Sequence, residues 1–161
     1  MQRTADRLSE LETRFSGLSD DGSDALQSVA NWVLSQRNAA AAKTQLFPAS
    51  ANLSPLSVKE LRDARASVLS VLRLLKALVD DMDATLSAFR SEYSHLEAGS
   101  DVLARARITQ LSQRIEAYKR EAELKDSLFK QIFTVQDSSR AMFFMSCWLH
   151  MPFVSDLEEV L

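Results

Sequence analysis

One cysteine, two histidines, three glycines and three prolines are spread over 161 residues, and each scarcity closes off a class of protein. A single thiol can form neither an intramolecular disulfide nor a multi-cysteine zinc site. Three glycines cannot build a phosphate-cradling loop. So few turn residues mean few connections between long elements, which argues for helices over a sandwich or barrel. No apolar run approaches the roughly 18–20 uncharged residues of a membrane span, and no signal-peptide pattern opens the chain. The expectation is a soluble intracellular protein. The net charge of −3 lacks the basic excess that neutralises phosphate, so no direct nucleic-acid partner is expected. With 46% hydrophobic and 25% charged residues, the chain has the composition of a single soluble domain with its own core.

What is present is helical periodicity. Leu8, Leu11, Phe15 and Leu18 recur at spacings of three and four, one stripe of a helix. "SDDGSD" then reads as a turn, with Gly22 as the break and Ser23 as the N-cap of a second helix carrying Leu26, Val29, Ala30 and Val33. The alanines at 39–42 extend it, and "FPASANLSPLS" within 43–57 reads as a linker. "SVKE" at 57–60 has the capping-box form, Ser57 and Glu60 each accepting the other's backbone N–H. From Val68 through Leu72, Leu75, Val79, Met82, Leu86, Phe89 and Tyr93 to Leu96, apolar residues alternate in steps of four and three, a heptad seam. Gly99 stands where a C-terminal cap is expected, and Ser100 or Asp101 can cap the next helix. That helix repeats the rhythm with Ile108, Leu111, Ile115, Tyr118, Ala122, Phe129 and Ile132, and Lys125 occupies one seam position. The short connection predicts an antiparallel hairpin over 58–133. Asp137 or Ser138 caps a last short helix that Pro152 should stop near His150, leaving an acidic tail that is mobile at its end.

Catalytic chemistry needs convergent groups, and few candidates exist. His95 and His150 lie far apart, without an H-x-x-x-H or C-x-x-C spacing, so no metal and no cofactor is expected. Cys147 has no local cation or helix N-terminus to make it reactive and reads as a small apolar residue. The carboxylates of "VDDMD" read as a solvated face, with Asp80 and Asp83 on one side and Asp81 elsewhere. The basic residues from Arg105 to Lys130 are interleaved with acids. Glu121 and Lys125, in the favourable i, i+4 order, read as part of a salt-bridge-laced surface. By contrast "MFFMSCWLHMPFV" at 142–154 holds more apolar residues than one face of a three-turn helix can hide. Some must pack on the hairpin, and the remainder are free for a partner, a role that suits methionine and aromatic side chains.

Two motifs carry a resemblance. "YKREAELK" at 118–125 and, further on, S-x-W-L-H-x-P-F-V at 146–154 resemble the cyclin-dependent kinase 2-interacting protein family, CINP. The specific likeness covers about the last 40 residues, with Phe153 in place of the family's usual tyrosine. It implies a nuclear, non-catalytic adaptor linked to replication kinases and checkpoint signalling. It also implies a subunit of a chromatin-associated AAA-ATPase assembly acting in replisome proteostasis and large-ribosomal-subunit maturation. The reading is therefore an all-α adaptor: an N-terminal helical pair over 1–42, a long hairpin, and a short C-terminal helix with tail over 137–161. Partner-binding candidates are Trp148, Leu149, His150, Pro152 and Phe153, with Tyr118 from the first motif. Trp148 and Phe153 would be anchors, Pro152 would fix the chain's exit, and His150 would cap carbonyls at the helix end. The rival reading is a structural coiled-coil protein that self-associates or tethers other helical subunits, since the helices also allow homo- or heterodimers.

Overall fold

The protein, in a computed structural model, is all-α. The structure describes residues 2–44, 57–94 and 102–158, and within these the elements are α1 (Gln2–Thr44), α2 (Val58–Ser94), α3 (Val102–Gln131), a 3-10 turn (Ile132–Thr134), α4 (Ser138–His150) and α5 (Pro152–Glu158). His95, Leu96, the caps expected at Gly99, Ser100 and Asp101, and most of the 43–57 linker lie outside the described residues.

Cross-helix contacts fix the directions. Glu12 pairs with Arg114 at 2.9 Å and Phe15 meets Tyr118 edge-on at 5.0 Å. Arg37 donates to the Phe133 carbonyl at 3.3 Å. Residue number thus rises together along α1 and α3. α2 runs the other way: Gly22 abuts Val71, Arg65 stacks on Phe133, and Arg90 of the last turns of α2 donates to Ser112 Oγ of α3 at 2.6 Å. The expected antiparallel hairpin is present, with α1 laid along it to complete a three-helix bundle. α4 then returns from the level of Arg37 to that of Ser19, and α5 packs on α3.

The expected N-terminal pair is instead one helix of 43 residues, roughly 65 Å long at about 1.5 Å per residue. The reason lies in its buried stripe, Leu8, Leu11, Phe15, Ser19, Gly22, Leu26, Val29 and Val33. The three-and-four spacing never breaks. It passes through two residues too small to register as apolar. Ser23 caps nothing; its hydroxyl donates to the Asp20 carbonyl at 2.7 Å within the helix. Gly22 is there for space: a Cβ would lie 2.9 Å from the Trp148 indole and 3.0 Å from Val71.

The other local signals act as read. Ser57 N–H donates to Glu60 at 2.5 Å and Glu60 N–H to Ser57 Oγ at 3.2 Å, closing the capping box. These bonds hold the Glu60 carboxyl below its ordinary range. Val68, Leu75, Val79, Met82, Leu86 and Phe89 are buried along α2, while Leu72 and Tyr93 are half-buried. Val71 and Leu78 join them, because α1 widens the buried face beyond a two-helix seam. The acidic tail is corrected in part: the chain turns helical again over Pro152–Glu158. Proline is suited to a first helical position, where its missing N–H has no partner to lose. No helix among the described residues is long and apolar enough to cross a membrane.

The two helical glycines of α1 give opposed expectations. Nothing lies within 4 Å of a Cβ built on Gly17, so Gly17→Ala should stabilise by about 0.5–1 kcal/mol through helix propensity. Gly22→Ala gains the same propensity but drives a methyl into a fully buried indole, and should lose about 1–3 kcal/mol from overpacking. Chemical denaturation of both variants checks this; equal stabilisation by both would show that the indole does not occupy its seat.

Candidate functional site

The C-terminal motif is built around two helix ends that meet. Asp137 caps α4 by accepting from the Arg140 N–H at 2.8 Å. Thirteen residues later α4 stops at His150, Met151 takes the left-handed conformation at φ 43°, and α5 begins at Pro152. The His150 carbonyl accepts from Ser155 Oγ at 2.7 Å, and the Met151 carbonyl accepts from Val154 and Ser155 N–H. The capping expected of the exposed His150 imidazole therefore falls to other groups.

Trp148 is not an exposed anchor. It is fully buried, and its indole Nε1 donates to the Ser19 carbonyl at 2.9 Å. Under the ring lies Lys125, its Nζ 4.9 Å from the ring centroid and donating to the Trp148 carbonyl. Lys125 and Glu121 are both completely buried, with Nζ 3.4 Å from Oε1, so the surface role read for this pair is corrected as well. Glu121 Oε2 accepts from the Phe153 N–H at 3.3 Å. The cation thus faces the C-terminal carbonyls of α4, and the carboxylate faces the first free N–H of α5. Each charge sits where the helix dipole favours it.

Burial works against both charges. It raises the Glu121 pKa, opposed by the nearby Lys125 charge and by the Phe153 N–H; it lowers that of Lys125, opposed by Glu121 and more weakly by Asp20. Glu121 Oε1 has no hydrogen-bond donor of its own, so the Lys125 charge is what compensates it.

The other candidates divide clearly. Tyr118 is buried against Phe15 and belongs to the core, not to a partner surface. Pro152 is half-buried. Leu149 and Phe153 remain exposed, at 46% and 39%, and the two most exposed aromatic or methionine side chains of α4, Met142 at 72% and Phe143 at 62%, were implied only by the surplus of apolar residues in this stretch. Met142, Ser146 and Leu149 follow one another at four and three residues, so Met142 and Leu149 lie along the outer face of α4, while Phe153 is exposed on α5. Cys147 is half-buried against the core. The basic residues of α3 are largely engaged: Arg114 with Glu12, Arg120 with Glu116, Lys130 with Asp126. No cluster of three or more potential metal ligands occurs among the described residues. No protein-family model and no curated protein sequence matches the chain.

The buried pair makes a signed pH expectation. Lys125→Met leaves Glu121 buried without its counter-charge and should cost about 3–5 kcal/mol near neutral pH. A carboxyl whose folded pKa is raised stabilises the fold below its unfolded value and loses that contribution as pH rises through the folded one. The deficit of Lys125→Met against wild type should therefore shrink as pH falls from neutrality towards 4.5, the ordinary glutamate value. Adding Glu121→Gln should flatten that dependence. Denaturant midpoints across this range decide it, and a deficit that does not change with pH would mean that Glu121 is solvated.

Proposed function

We propose that the chain is a non-catalytic adaptor, a subunit that holds a protein partner against the outer face of α4 and α5. The observation that carries this reading is the exposure of Met142, Phe143 and Leu149 on α4, opposite its buried Ala141, Phe144, Met145 and Trp148, with Phe153 exposed at the start of α5. A rigid backing matters for docking, because side chains already fixed lose less freedom when a partner arrives. Methionine and phenylalanine are enriched at the cores of protein interfaces, where large apolar area and adaptable shape serve recognition. The resemblance of S-x-W-L-H-x-P-F-V to the CINP motif lends the reading its biology. On that likeness the partners would be helical subunits of a nuclear AAA-ATPase assembly, replication kinases and checkpoint proteins, with roles in replisome proteostasis and large-ribosomal-subunit maturation.

In this adaptor Trp148 shapes the surface without touching the partner. A Met142→Ser, Phe143→Ser variant should keep its helical circular dichroism and melting temperature, since neither side chain is part of the core. Truncating interface anchors commonly costs about 2 kcal/mol or more, roughly thirtyfold in affinity. Affinity purification with mass spectrometry should show the variant losing partners that the wild type retains. Recovery of the same proteins at wild-type strength would remove the docking role from this face.

A further inference from the structure

The far side of the hairpin, away from α1 and from the α4–α5 corner, carries a second surface. Between α2 and α3 runs a groove of about 420 Å³ with an apolar floor that includes Leu69, Leu72, Val79 and Ala122. Along its α2 edge stand Arg73, Lys76, Asp80 and Asp83, all exposed. Their spacings of three, four and three residues keep them on one helical face. None of the four forms an ion pair with another described residue.

The order of those charges is its own complement. Arg73 and Asp83 lie five positions either side of Leu78, and Lys76 and Asp80 lie two either side. An α2 helix laid antiparallel on a copy of itself, centred at that level, sets each cation opposite an anion. A two-fold axis is the symmetry that brings such a face onto itself. A parallel arrangement in register would instead oppose like charges. We propose that this groove takes a second copy of the chain, with α2 crossing its counterpart antiparallel about a two-fold axis level with Leu78. Arg73 pairs with Asp83 of the other copy, Lys76 with its Asp80, and the floor residues of the two grooves close against one another. The adaptor face of α4 and α5 stays open in this dimer, so the two surfaces can be tested separately.

Exposed ion pairs contribute little each, and most of the attraction comes from the apolar floor; the charges select the register and exclude other alignments. Sedimentation velocity at concentrations up to about 100 µM, where interfaces of modest size assemble, should give twice the 18.0 kDa monomer mass. Arg73→Asp with Lys76→Asp makes the edge uniformly acidic, and Asp80→Lys with Asp83→Lys makes it uniformly basic. Each variant alone should dimerise at least about tenfold more weakly, as like charges oppose across the axis. Mixed in equal amounts they should form a heterodimer of wild-type strength. The fourfold exchange, which restores every pair with reversed sign, should dimerise as wild type does and controls for loss of fold. A wild-type chain that stays monomeric, single-sign variants that dimerise unchanged, or a mixture that fails to associate would each overturn the proposal.

Discussion

The indole of Trp148 is the contact on which the other elements converge. It lies against the Gly22 backbone, with the Lys125 ammonium over the ring and its own N–H bonded to the Ser19 carbonyl. Three helices, α1, α3 and α4, therefore meet at a single side chain. An aromatic group of this size, fully buried, contributes a few kcal/mol through the area it removes from water. It also sets a geometric condition, because the ring fits only where α1 offers a surface without a Cβ. A glycine in mid-helix weakens α1 by about 1 kcal/mol relative to alanine, and the packing of the ring offsets that loss.

Around the indole, Glu121 and Lys125 turn a difficult junction into an ordered one. Two helices separated by one residue leave carbonyls at the end of the first and N–H groups at the start of the second, both partly out of water. A buried ion pair is weak evidence of stability by itself, since desolvation offsets the attraction. Here each member also satisfies a backbone group at a helix end, Lys125 the Trp148 carbonyl and Glu121 the Phe153 N–H. The pair thus ties the start of α5 to the end of α4, and with it the position of the exposed Phe153. Structure and proposed function are linked at this point: buried polar groups position exposed apolar ones.

How much of this is legible in the sequence follows from how local each cause is. The capping box at Ser57 and Glu60, the Asp137 cap and the stop at His150 depend on a few neighbouring residues and can be read directly. The α2 seam can be read too, since its apolar residues are large and regularly spaced. Gly22 and Ser19 mislead because a short "SDDGSD" stretch carries turn composition, while their actual role depends on an indole more than a hundred residues away. Lys125 stands visibly at a seam position, yet its ion pair with Glu121 has the spacing of an ordinary surface pair; only the return of α4 buries it. Trp148 and Tyr118, read as partner-facing, are buried within the chain for the same reason. A motif shows which residues act together, and it takes the fold to separate those facing inward from those facing a partner.

The most direct test of this account is the exchange rate of the Trp148 indole proton, followed by nuclear magnetic resonance of the nitrogen-labelled chain. Trp32, half-buried on α1, provides an internal comparison within the same molecule. If the Trp148 N–H is held by the Ser19 carbonyl inside the bundle, it should exchange only through global opening, with the protection of the most stable backbone amides. The Trp32 proton should exchange much faster. Comparable rapid exchange at both indoles would contradict the account, because Trp148 would then be reaching solvent and the corner would not be built on it.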